Sequence, residues 1–329
     1  MPITDTPLRY PGGKTQLAPF VSDLLRANDL LQCIYCEPFA GGAGIACRLL
    51  LKGTIAEAWI NDIDPAIYAF WHSVLNSTEQ LCERIERTKV DVAEWRRQKQ
   101  IHAEERKNLL DLGFATLFLN RTNRSGILKG GVIGGLNQTG KYAIDCRFGR
   151  EELVRKIRRI ALYREQILLT CIDARQYIRL NLKKLPRYAL VNIDPPYYRA
   201  GAGLYTNAYL YNDHLSLAKE VRKMPHHWML TYDDAPEIRA MYLGLTQYRK
   251  KLTYYAQVKR SAVELLILSS GLVPPEMRAF GSELLNSDDL SSCDIFLRER
   301  AEGMNIRTEH LTDNRLQALA ASLSTLSAH

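Results

Sequence analysis

Residues 194–197 form a group that could hold a base. They read Asp-Pro-Pro-Tyr and follow an apolar run, 188–193, that is typical of a buried strand. Ligands of an open parallel sheet bind beyond the carboxyl ends of its strands, where Asp194 would lie. Pro195 and Pro196 stiffen the turn and leave carbonyl oxygens as acceptors. A carboxylate beside such a carbonyl suits an amine with two N–H donors, such as the exocyclic amine of a base, and Tyr197 offers a ring for stacking. The alternative is a structural turn with an exposed tyrosine.

A second group, "EPFAGGAG" at 37–44, has glycines that permit a tight turn and close approach to a nucleotide. Asp62 ends the next apolar run, where a carboxylate can accept hydrogen bonds from ribose hydroxyls. The glycines do not follow G-x-G-x-x-G, and "GGKT" at 12–15 lacks the frame of a phosphate loop. Hydride cofactors and ATP are therefore disfavoured relative to a nucleoside without a polyphosphate. Taken alone, the glycine-rich segment is explained equally well by a structural turn.

The composition favours a globular protein with a polyanionic partner. The chain has 329 residues, of which 46% are hydrophobic and 24% charged. Its 44 Lys and Arg against 36 Asp and Glu give a net charge of +8, which suits nucleic acid. We expect no membrane span and no metal, and the seven scattered cysteines favour reduced thiols in the cytoplasm. The Cys33-x-x-Cys36 pair is better explained by buried structural cysteines than by a zinc or redox site.

Strands and helices alternate along most of the sequence, which predicts an α/β protein with a nucleotide-binding sheet. A polar helical stretch and loops rich in Gly, Asn and Thr interrupt the alternation. We therefore predict a discontinuous catalytic domain at 1–73 and 166–272, interrupted by a target-recognition insertion at 74–165. We take the run "VELLILSS" (263–270) as the last strand of the sheet. Residues 273–329 form a polar C-terminal extension with a helical pattern at 312–323.

Five motifs together resemble one family, the Dam-like (D12 class, alpha group) adenine-N6 DNA methyltransferases. They occur in that family's order: "LRYPGGK" (8–14), "EPFAGGAG" (37–44), "NDID" (61–64), "FLNRTNRSG" (118–126) and "DPPY" (194–197). The resemblance covers about residues 6–270. It implies a Rossmann-like, S-adenosylmethionine-dependent methyltransferase sheet with an inserted, mainly helical DNA-recognition domain. It also implies transfer of a methyl group to the exocyclic amine of adenine in DNA.

The resemblance assigns site residues by motif. The catalytic residues it implies are Asp194, Pro195, Pro196 and Tyr197. The cofactor-binding residues it implies are Tyr10, Gly12, Lys14, Phe39, Gly41, Gly42, Asp62, Asp173 and Asp194. In that scheme Phe39 faces the methionine moiety, Asp62 binds the ribose and Asp173 contacts the adenine of the cofactor. Without the surrounding motif, Lys14 would be interpreted as a surface lysine after a turn.

The chemistry implied is a positioned displacement. Adenine's amine is a poor nucleophile because its lone pair is delocalised into the ring, and the two acceptors at Asp194 and Pro195 would localise that pair. A base inside a duplex cannot reach such a pocket, so the adenine of double-stranded DNA must flip out. Tyr197 would cover one face of the base and Tyr198 would support the pocket wall. We expect a bacterial or phage-encoded enzyme that acts as a monomer or weak dimer.

The insertion is the expected DNA reader. Its predicted DNA-binding residues are Arg121, Arg124, Ser125 and Lys129, with Arg124 and Lys129 contacting phosphates or base edges. Arg121 has a structural alternative, in which the L-N-R turn ties the reader to the catalytic domain. Lys129 stands where the resembling family has a guanine-reading arginine, and this departure argues against GATC as the target.

Two other functions stay open at this point. One is an RNA base methyltransferase, which can share the Asp-Pro-Pro-Tyr motif, and the other is a catalytically inert DNA-binding homologue.

Three further acids have weaker interpretations. Asp233 and Asp234 follow a predicted strand and are expected to be exposed turn acids, with a role in the target pocket as the alternative. Glu264 lies in an apolar strand and receives no role.

Overall fold

A computed structural model of the chain describes residues 4–9, 14–180, 182–199, 209–255, 259–276 and 282–285. The predicted cofactor residues Tyr10 and Gly12 lie outside the described residues, as do most of the C-terminal extension and its helical pattern. The chain divides into two units, which are described separately. The first is Met1–Ala174 with Tyr254–Arg260, and the second is Arg175–Thr253 with Ser261–His329.

The first unit has parallel strands with helices between them. Its elements are α1 (Ala18–Ala27), β1 (Ile34–Glu37), α2 (Gly44–Leu51), β2 (Glu57–Asn61), α3 (Pro65–Asn76), α4 (Thr78–Arg87), α5 (Val92–Glu104), α6 (Leu109–Thr122), α7 (Arg150–Ala161) and β3 (Ile167–Thr170). The strands follow the order β3-β2-β1 and pair in parallel, with Tyr35 opposite Ala58. The strand–turn–helix–strand alternation predicted at the start of the chain is confirmed. Parallel pairing brings the carboxyl ends of these three strands to one edge.

Polar residues fix where the helices of this unit begin. Asp64 precedes α3, accepts the N–H two residues on at 2.9 Å and is followed by Pro65 at the first helical position. Asp91 caps α5 by accepting the N–H of Glu94 at 2.8 Å. Asn108 caps α6 in the same way. These side chains satisfy N–H groups that the first turn of a helix leaves without partners, so α3, α5 and α6 each begin at a polar cap in the sequence.

Helices α3 and α6 approach each other closely at a glycine. A Cβ on Gly113 would lie 2.4 Å from Ser73 Oγ and 2.5 Å from the carbonyl oxygen of Ala69, so only hydrogen fits at this crossing. Ala66, Ala69 and Leu112 bury their side chains at the contact. The helices of 74–165 therefore share a packed interior with α3, while their assignment as a separate recognition domain stays a prediction.

The second unit contains the strand that leads to the Asp-Pro-Pro-Tyr segment. Its elements are α8 (Ala174–Leu180), β4 (Ala189–Ile193), α9 (Tyr211–Arg222), β5 (His227–Asp233), α10 (Pro236–Met241), β6 (Thr246–Tyr255), β7 (Lys259–Leu268) and β8 (Ser282–Leu284). The strand order is β4-β5-β7-β6-β8. Strand β4 is buried along its whole length and pairs in parallel with β5. Strand β7 runs antiparallel to β5.

Two strands of this unit depart from the sequence prediction. The run "VELLILSS", taken as the last strand, forms β7, and β8 follows it on the far side of β6. That prediction was wrong because β8 has only three residues, too few for a hydrophobic alternation to show.

The described residues also bear on membranes, metals and thiols. None of their helices combines the length and the apolar character needed to cross a bilayer. Within the same residues, no three His, Cys, Asp or Glu side chains come together as a metal site would need. Cys33 and Cys36 are buried at the start of the sheet, where they pack as small apolar side chains.

Candidate active site

Asn61, the last residue of β2, joins the turns that follow all three strands of the first unit. Its Nδ2 donates to the carbonyl oxygen of Pro38 at 3.0 Å and to that of Ile172 at 2.9 Å. Its Oδ1 accepts the Thr170 hydroxyl at 2.7 Å and the N–H of Ile172 at 3.2 Å. The side chain is fully buried. One amide thus brings the segment of Phe39, Gly41 and Gly42 to the same sheet edge as Asp173.

Asp62 and the glycine turn hold each other. Asp62 Oδ2 accepts the N–H of Gly41 at 2.8 Å, and its Oδ1 accepts the N–H of Asp64 at 2.9 Å. The carbonyl oxygen of Gly41 accepts the indole N–H of Trp71 at 2.9 Å. Gly41 has φ 47°, in the left-handed region that favours glycine. The turn is therefore fixed on both sides of one residue.

The ionisation of Asp62 is shifted by its surroundings. Desolvation raises the pKa of this carboxyl to about 6, although the backbone N–H groups of Asp64 and Gly41 act in the opposite direction. The side chain is only partly exposed. Above a pH of about 6 the carboxyl of Asp62 is mostly ionised. An ionised carboxylate at a strand end can accept hydrogen bonds from ribose hydroxyls, which is the role that the motif predicts for Asp62.

Glu37 and Lys14 support the start of α2. Glu37 is buried and accepts the N–H of Ala46 at 3.2 Å, within the first turn of that helix. Lys14 is buried too and precedes a short 3₁₀ turn at Thr15–Leu17. A Cβ on Gly44 would lie 2.2 Å from Thr15 Oγ1, so the residue after Lys14 packs directly on the glycine turn. Lys14 therefore lies in a segment packed on this turn and not on an open surface, while its role in holding the cofactor stays a prediction.

In the second unit, Asp194 lies where strand β4 ends. Its side chain is partly exposed, whereas Pro195 and Pro196 are buried. Thr231, on the neighbouring strand β5, donates its hydroxyl to Asp194 Oδ1 at 3.0 Å. The acid therefore points to the rim of the sheet with its orientation set by a buried hydroxyl.

Tyr197 is buried, not exposed as an ordinary turn residue would be. Its side chain is 9% exposed and its hydroxyl donates to Oε1 of Glu264 on β7. Glu264 itself is 2% exposed. The sequence interpretation gave Glu264 no role, and this contact provides one. An acid in the middle of the apolar run "AVELLIL" is the signal that could have identified it, because a buried carboxylate requires a partner.

Asp233 and Asp234 were expected to be exposed turn acids, and that expectation is wrong. Asp233 accepts the N–H groups of Tyr198 and Arg199, both at 2.8 Å, and so fixes the backbone just after the motif. Asp234 accepts from the guanidinium of Arg239 at 2.5 Å and from that of Arg249 at 2.9 Å. Both acids therefore accept hydrogen bonds from other segments of the chain.

Aromatic side chains surround the segment after Tyr197. The ring of Tyr198 lies 5.3 Å from that of His214 and 6.4 Å from that of Tyr211, both edge-on. His214 Nδ1 lies 2.8 Å from the Tyr232 hydroxyl. Burial lowers the pKa of His214 to about 4, so this imidazole is neutral at physiological pH. Tyr198 is thus part of a packed aromatic cluster, while its support of the pocket wall stays a prediction.

The loop expected to read DNA is a tight structure closed by Asn123. An isolated antiparallel bridge pairs Asn123 with Val132. The Asn123 amide donates to the carbonyl oxygens of Ile127 and Leu128, both at 2.9 Å, and accepts the indole N–H of Trp95 at 2.7 Å. Sequence reasoning did not identify Asn123, whose buried side chain holds the two ends of the loop together.

The predicted DNA-binding residues divide into two kinds. The side chains of Arg124 and Lys129 are exposed on the loop, and Ser125 adopts φ 57°, a strained conformation for a residue with a side chain. Arg121 donates instead to the carbonyl oxygen of Pro7. Burial lowers the pKa of Arg121 to about 9. These contacts favour the structural alternative for Arg121 over contact with DNA.

Asn120 strengthens that link between the N-terminal segment and the loop. Its Oδ1 accepts the N–H of Arg9 at 2.8 Å, and its Nδ2 donates to the carbonyl oxygens of Arg9 at 3.0 Å and Gly126 at 2.9 Å. The L-N-R motif therefore acts here as a tie between chain segments.

The sequence of residues 10–256 matches the D12 class N6 adenine-specific DNA methyltransferase family. The chain belongs to this family. A solved structure similar to this D12 class methyltransferase is the rRNA methyltransferase aviRa from Streptomyces viridochromogenes, with 14% identity and a TM-score of 0.36 over 79% of this chain and 86% of that one. No curated protein sequence matches the chain.

Membership of the D12 class confirms several predictions made from the motifs. The protein is a DNA methyltransferase that modifies the N6 amine of adenine, and its α/β fold is that of a Rossmann-like methyltransferase. Methyltransferases of this kind use S-adenosylmethionine. The family assignment favours DNA adenine methylation over RNA base methylation and over an inert DNA-binding homologue.

Proposed function

We propose that Asp194 and the Pro195 carbonyl grip the amine of a flipped-out adenine while Tyr197 stacks on its ring. One observation carries the proposal: Asp194 ends the fully buried strand β4, yet stays partly exposed and is oriented by Thr231. An acceptor fixed in this way needs little reorganisation when a donor arrives, which is the condition for electrostatic catalysis.

The residues then act on the reacting nitrogen. S-adenosylmethionine, when bound, supplies a methyl group on a positively charged sulfur, which leaves as a neutral thioether. With Asp194 and the Pro195 carbonyl accepting the two N–H groups, the nitrogen's lone pair would be directed away from the ring and toward the methyl group that the bound cofactor would supply. Positive charge would develop on the nitrogen, and the Asp194 carboxylate would stabilise it until one N–H proton passes to water.

The cofactor half of the proposal rests on the first unit. The acceptor chemistry of Asp62 fits ribose hydroxyls, and the backbone N–H donors at Gly41 and Asp64 keep its oxygens in place. Phe39, Gly41, Gly42 and Asp173 would line the same edge because Asn61 holds their segments together. Lys14 would contribute from the segment packed on the glycine turn.

The DNA half assigns the loop around Arg124 to contact with duplex DNA. Arg124 and Lys129 would meet phosphates or guanine edges, and Ser125 would approach the backbone. Arg121 and Asn120 would hold this loop to the N-terminal segment. We further propose a target sequence other than GATC, a monomer or weak dimer, and a cytoplasmic enzyme of bacterial or phage origin.

The test is a comparison of Asp194→Ala and Asp194→Asn with the wild type. Unmethylated genomic DNA and radiolabelled S-adenosylmethionine report methyl transfer, and calorimetry with S-adenosylhomocysteine reports cofactor binding. Both variants should lose transfer by about 10³-fold or more, the scale of one preorganised electrostatic group, while cofactor affinity changes little. Substantial remaining turnover in Asp194→Ala would overturn the role of this acid. Sequencing of the methylated DNA from the wild-type reaction identifies the target.

A further inference from the structure

Two carboxylates stand opposite each other beside the catalytic motif. Asp233 on β5 and Glu264 on β7 are direct partners in the antiparallel pair, so their side chains project from the same face of the sheet. Two acids side by side on one face of a strand pair need hydrogen-bond donors nearby. Such a pair persists only if donors nearby satisfy both acids, and the segment 194–199 provides them.

The two acids bind different parts of that segment. Asp233 accepts backbone N–H groups of Tyr198 and Arg199, both at 2.8 Å. Glu264 accepts the side-chain hydroxyl of Tyr197. Asp233 therefore fixes the path of the main chain, whereas Glu264 fixes the position of one ring.

A tyrosine ring held only by packing keeps more torsional freedom than one whose hydroxyl is hydrogen-bonded. A tyrosine side chain has two torsions, and the second is soft because it joins an sp³ to an sp² carbon. The hydroxyl lies at the far end of the ring, so a hydrogen bond there restrains both torsions together. Hydrogen bonds are stronger in a low-dielectric interior, and Glu264 is only 2% exposed, so burial strengthens this bond.

We propose that Glu264 is a positioning residue for the target adenine and acts through the ring of Tyr197. It holds the ring plane in place before the base arrives, so that stacking of a planar purine requires little loss of side-chain freedom. Glu264 touches neither the base nor the methyl donor. The inference rests on the stacking role proposed for Tyr197 and adds the residue that sets the orientation of the stack.

A double-mutant cycle tests the link through the hydroxyl. The variants are Glu264→Gln, Tyr197→Phe and the two combined, with Glu283→Gln as a control that removes an exposed strand carboxylate from the same unit. Single-turnover methylation of genomic DNA measures the rate. Glu264→Gln and Tyr197→Phe should each slow transfer by about tenfold, the value of one buried hydrogen bond. The double variant should be no slower than Tyr197→Phe, because the bond is already lost there. A multiplicative loss in the double variant would overturn the proposal.

A second readout separates positioning from general damage to the fold. Once the methylated site is known, 2-aminopurine replaces the target adenine in a duplex. Its fluorescence in the complex should be higher in Glu264→Gln than in the wild type, since a displaced ring quenches it less. S-adenosylhomocysteine affinity and melting temperature should stay close to those of Glu283→Gln. Unchanged fluorescence in Glu264→Gln contradicts the positioning role.

Tyr197→Leu distinguishes this inference from the function on which it rests. That variant removes the ring, so it should lose far more activity than Tyr197→Phe and show the brightest 2-aminopurine. If Tyr197→Leu transfers methyl groups as fast as the wild type, the stacking role itself fails. If Tyr197→Leu is impaired but Glu264→Gln is not, stacking stands and only the role of Glu264 fails.

Discussion

Asp62 accepts the backbone N–H of Gly41 at 2.8 Å, so an acid at the end of β2 fixes the turn that follows β1. This bond joins two features that the sequence presents as separate motifs, the glycine turn and the acid after the next strand. Because the same carboxylate is the proposed ribose acceptor, the protonation state of Asp62 affects both the shape of the turn and the binding of the nucleoside.

The raised pKa of Asp62 predicts a pH dependence of cofactor binding. Ribose hydroxyls donate to the ionised carboxylate, so affinity is present above the pKa of about 6 and is lost as the pH falls through it. The ionised fraction falls about tenfold between pH 7 and pH 5, and the affinity for S-adenosylhomocysteine should fall by about the same factor. Calorimetric titration across this range measures it.

The control for that titration is Asp62→Asn. This variant should bind S-adenosylhomocysteine weakly, with little change between pH 5 and pH 7, because the group that titrates has been removed. Circular dichroism at each pH verifies that both proteins are folded. The same pH slope in both proteins would assign the titration to another group.

Asn61 predicts a coupling between stability and cofactor binding. Asn61→Ala removes a buried amide that satisfies the carbonyl oxygens of Pro38 and Ile172, and leaves those groups without this donor. We expect a loss of about 2–4 kcal/mol in the free energy of unfolding, together with weaker S-adenosylhomocysteine binding. Urea denaturation and calorimetry measure the two effects. Asn76→Ala, at an exposed site where the amide bonds only the carbonyl oxygen of His72, should change both by little.

How much the sequence could predict depends on whether a signal is local. Asp194, Asp62 and the glycine turn are visible as motifs because each occupies the point where a strand ends, and the structure places them there. Glu264 and Thr231 are not visible in that way, since their roles follow from which strand lies beside which. No propensity specifies that β7 lies antiparallel to β5 and brings residue 264 opposite residue 233.

Arg121 illustrates the opposite difficulty. A charged residue in a loop-rich, basic segment is predicted to contact DNA, and composition alone cannot distinguish a cation that faces solvent from one that bonds a carbonyl oxygen of a distant segment. The bond from Arg121 to Pro7 spans more than a hundred residues of sequence. The local motif marked Arg121 as a candidate functional residue, whereas only the tertiary contact with Pro7 indicates a structural role.

Gly126 predicts a defect in the loop that is proposed to contact DNA. It has φ 77°, and a Cβ there would lie 2.1 Å from the carbonyl oxygen of Arg9, so Gly126→Ala must displace backbone. We expect a loss of at least about 2 kcal/mol in the free energy of unfolding and weaker DNA binding, with S-adenosylhomocysteine affinity retained. Gly131→Ala is the matched control in the same loop, because a Cβ there meets nothing within 4 Å. Equal stability of the two variants would contradict the close approach.

The two exposed cations of the loop, Arg124 and Lys129, are predicted to differ from Arg121 in the effect of their loss. Arg124→Ala and Lys129→Ala should weaken DNA binding, and each should reduce the slope of log affinity against log salt by about 1 if it contacts a phosphate. A base contact would instead relax the target sequence, by about 1–3 kcal/mol of discrimination at one position. Filter binding over a salt series and sequencing of methylated genomic DNA separate the two.

Arg121→Met should act on the fold instead. Its loss removes the bond to Pro7 but no exposed charge, so the melting temperature should fall while the salt slope of DNA binding stays that of the wild type. Lys52→Ala, at an exposed lysine on the end of α2, controls for the loss of one surface charge. A reduced salt slope in Arg121→Met but not in Arg124→Ala would reverse the roles assigned to these two residues. The L-N-R motif would then contact DNA directly, and the loop would only support it.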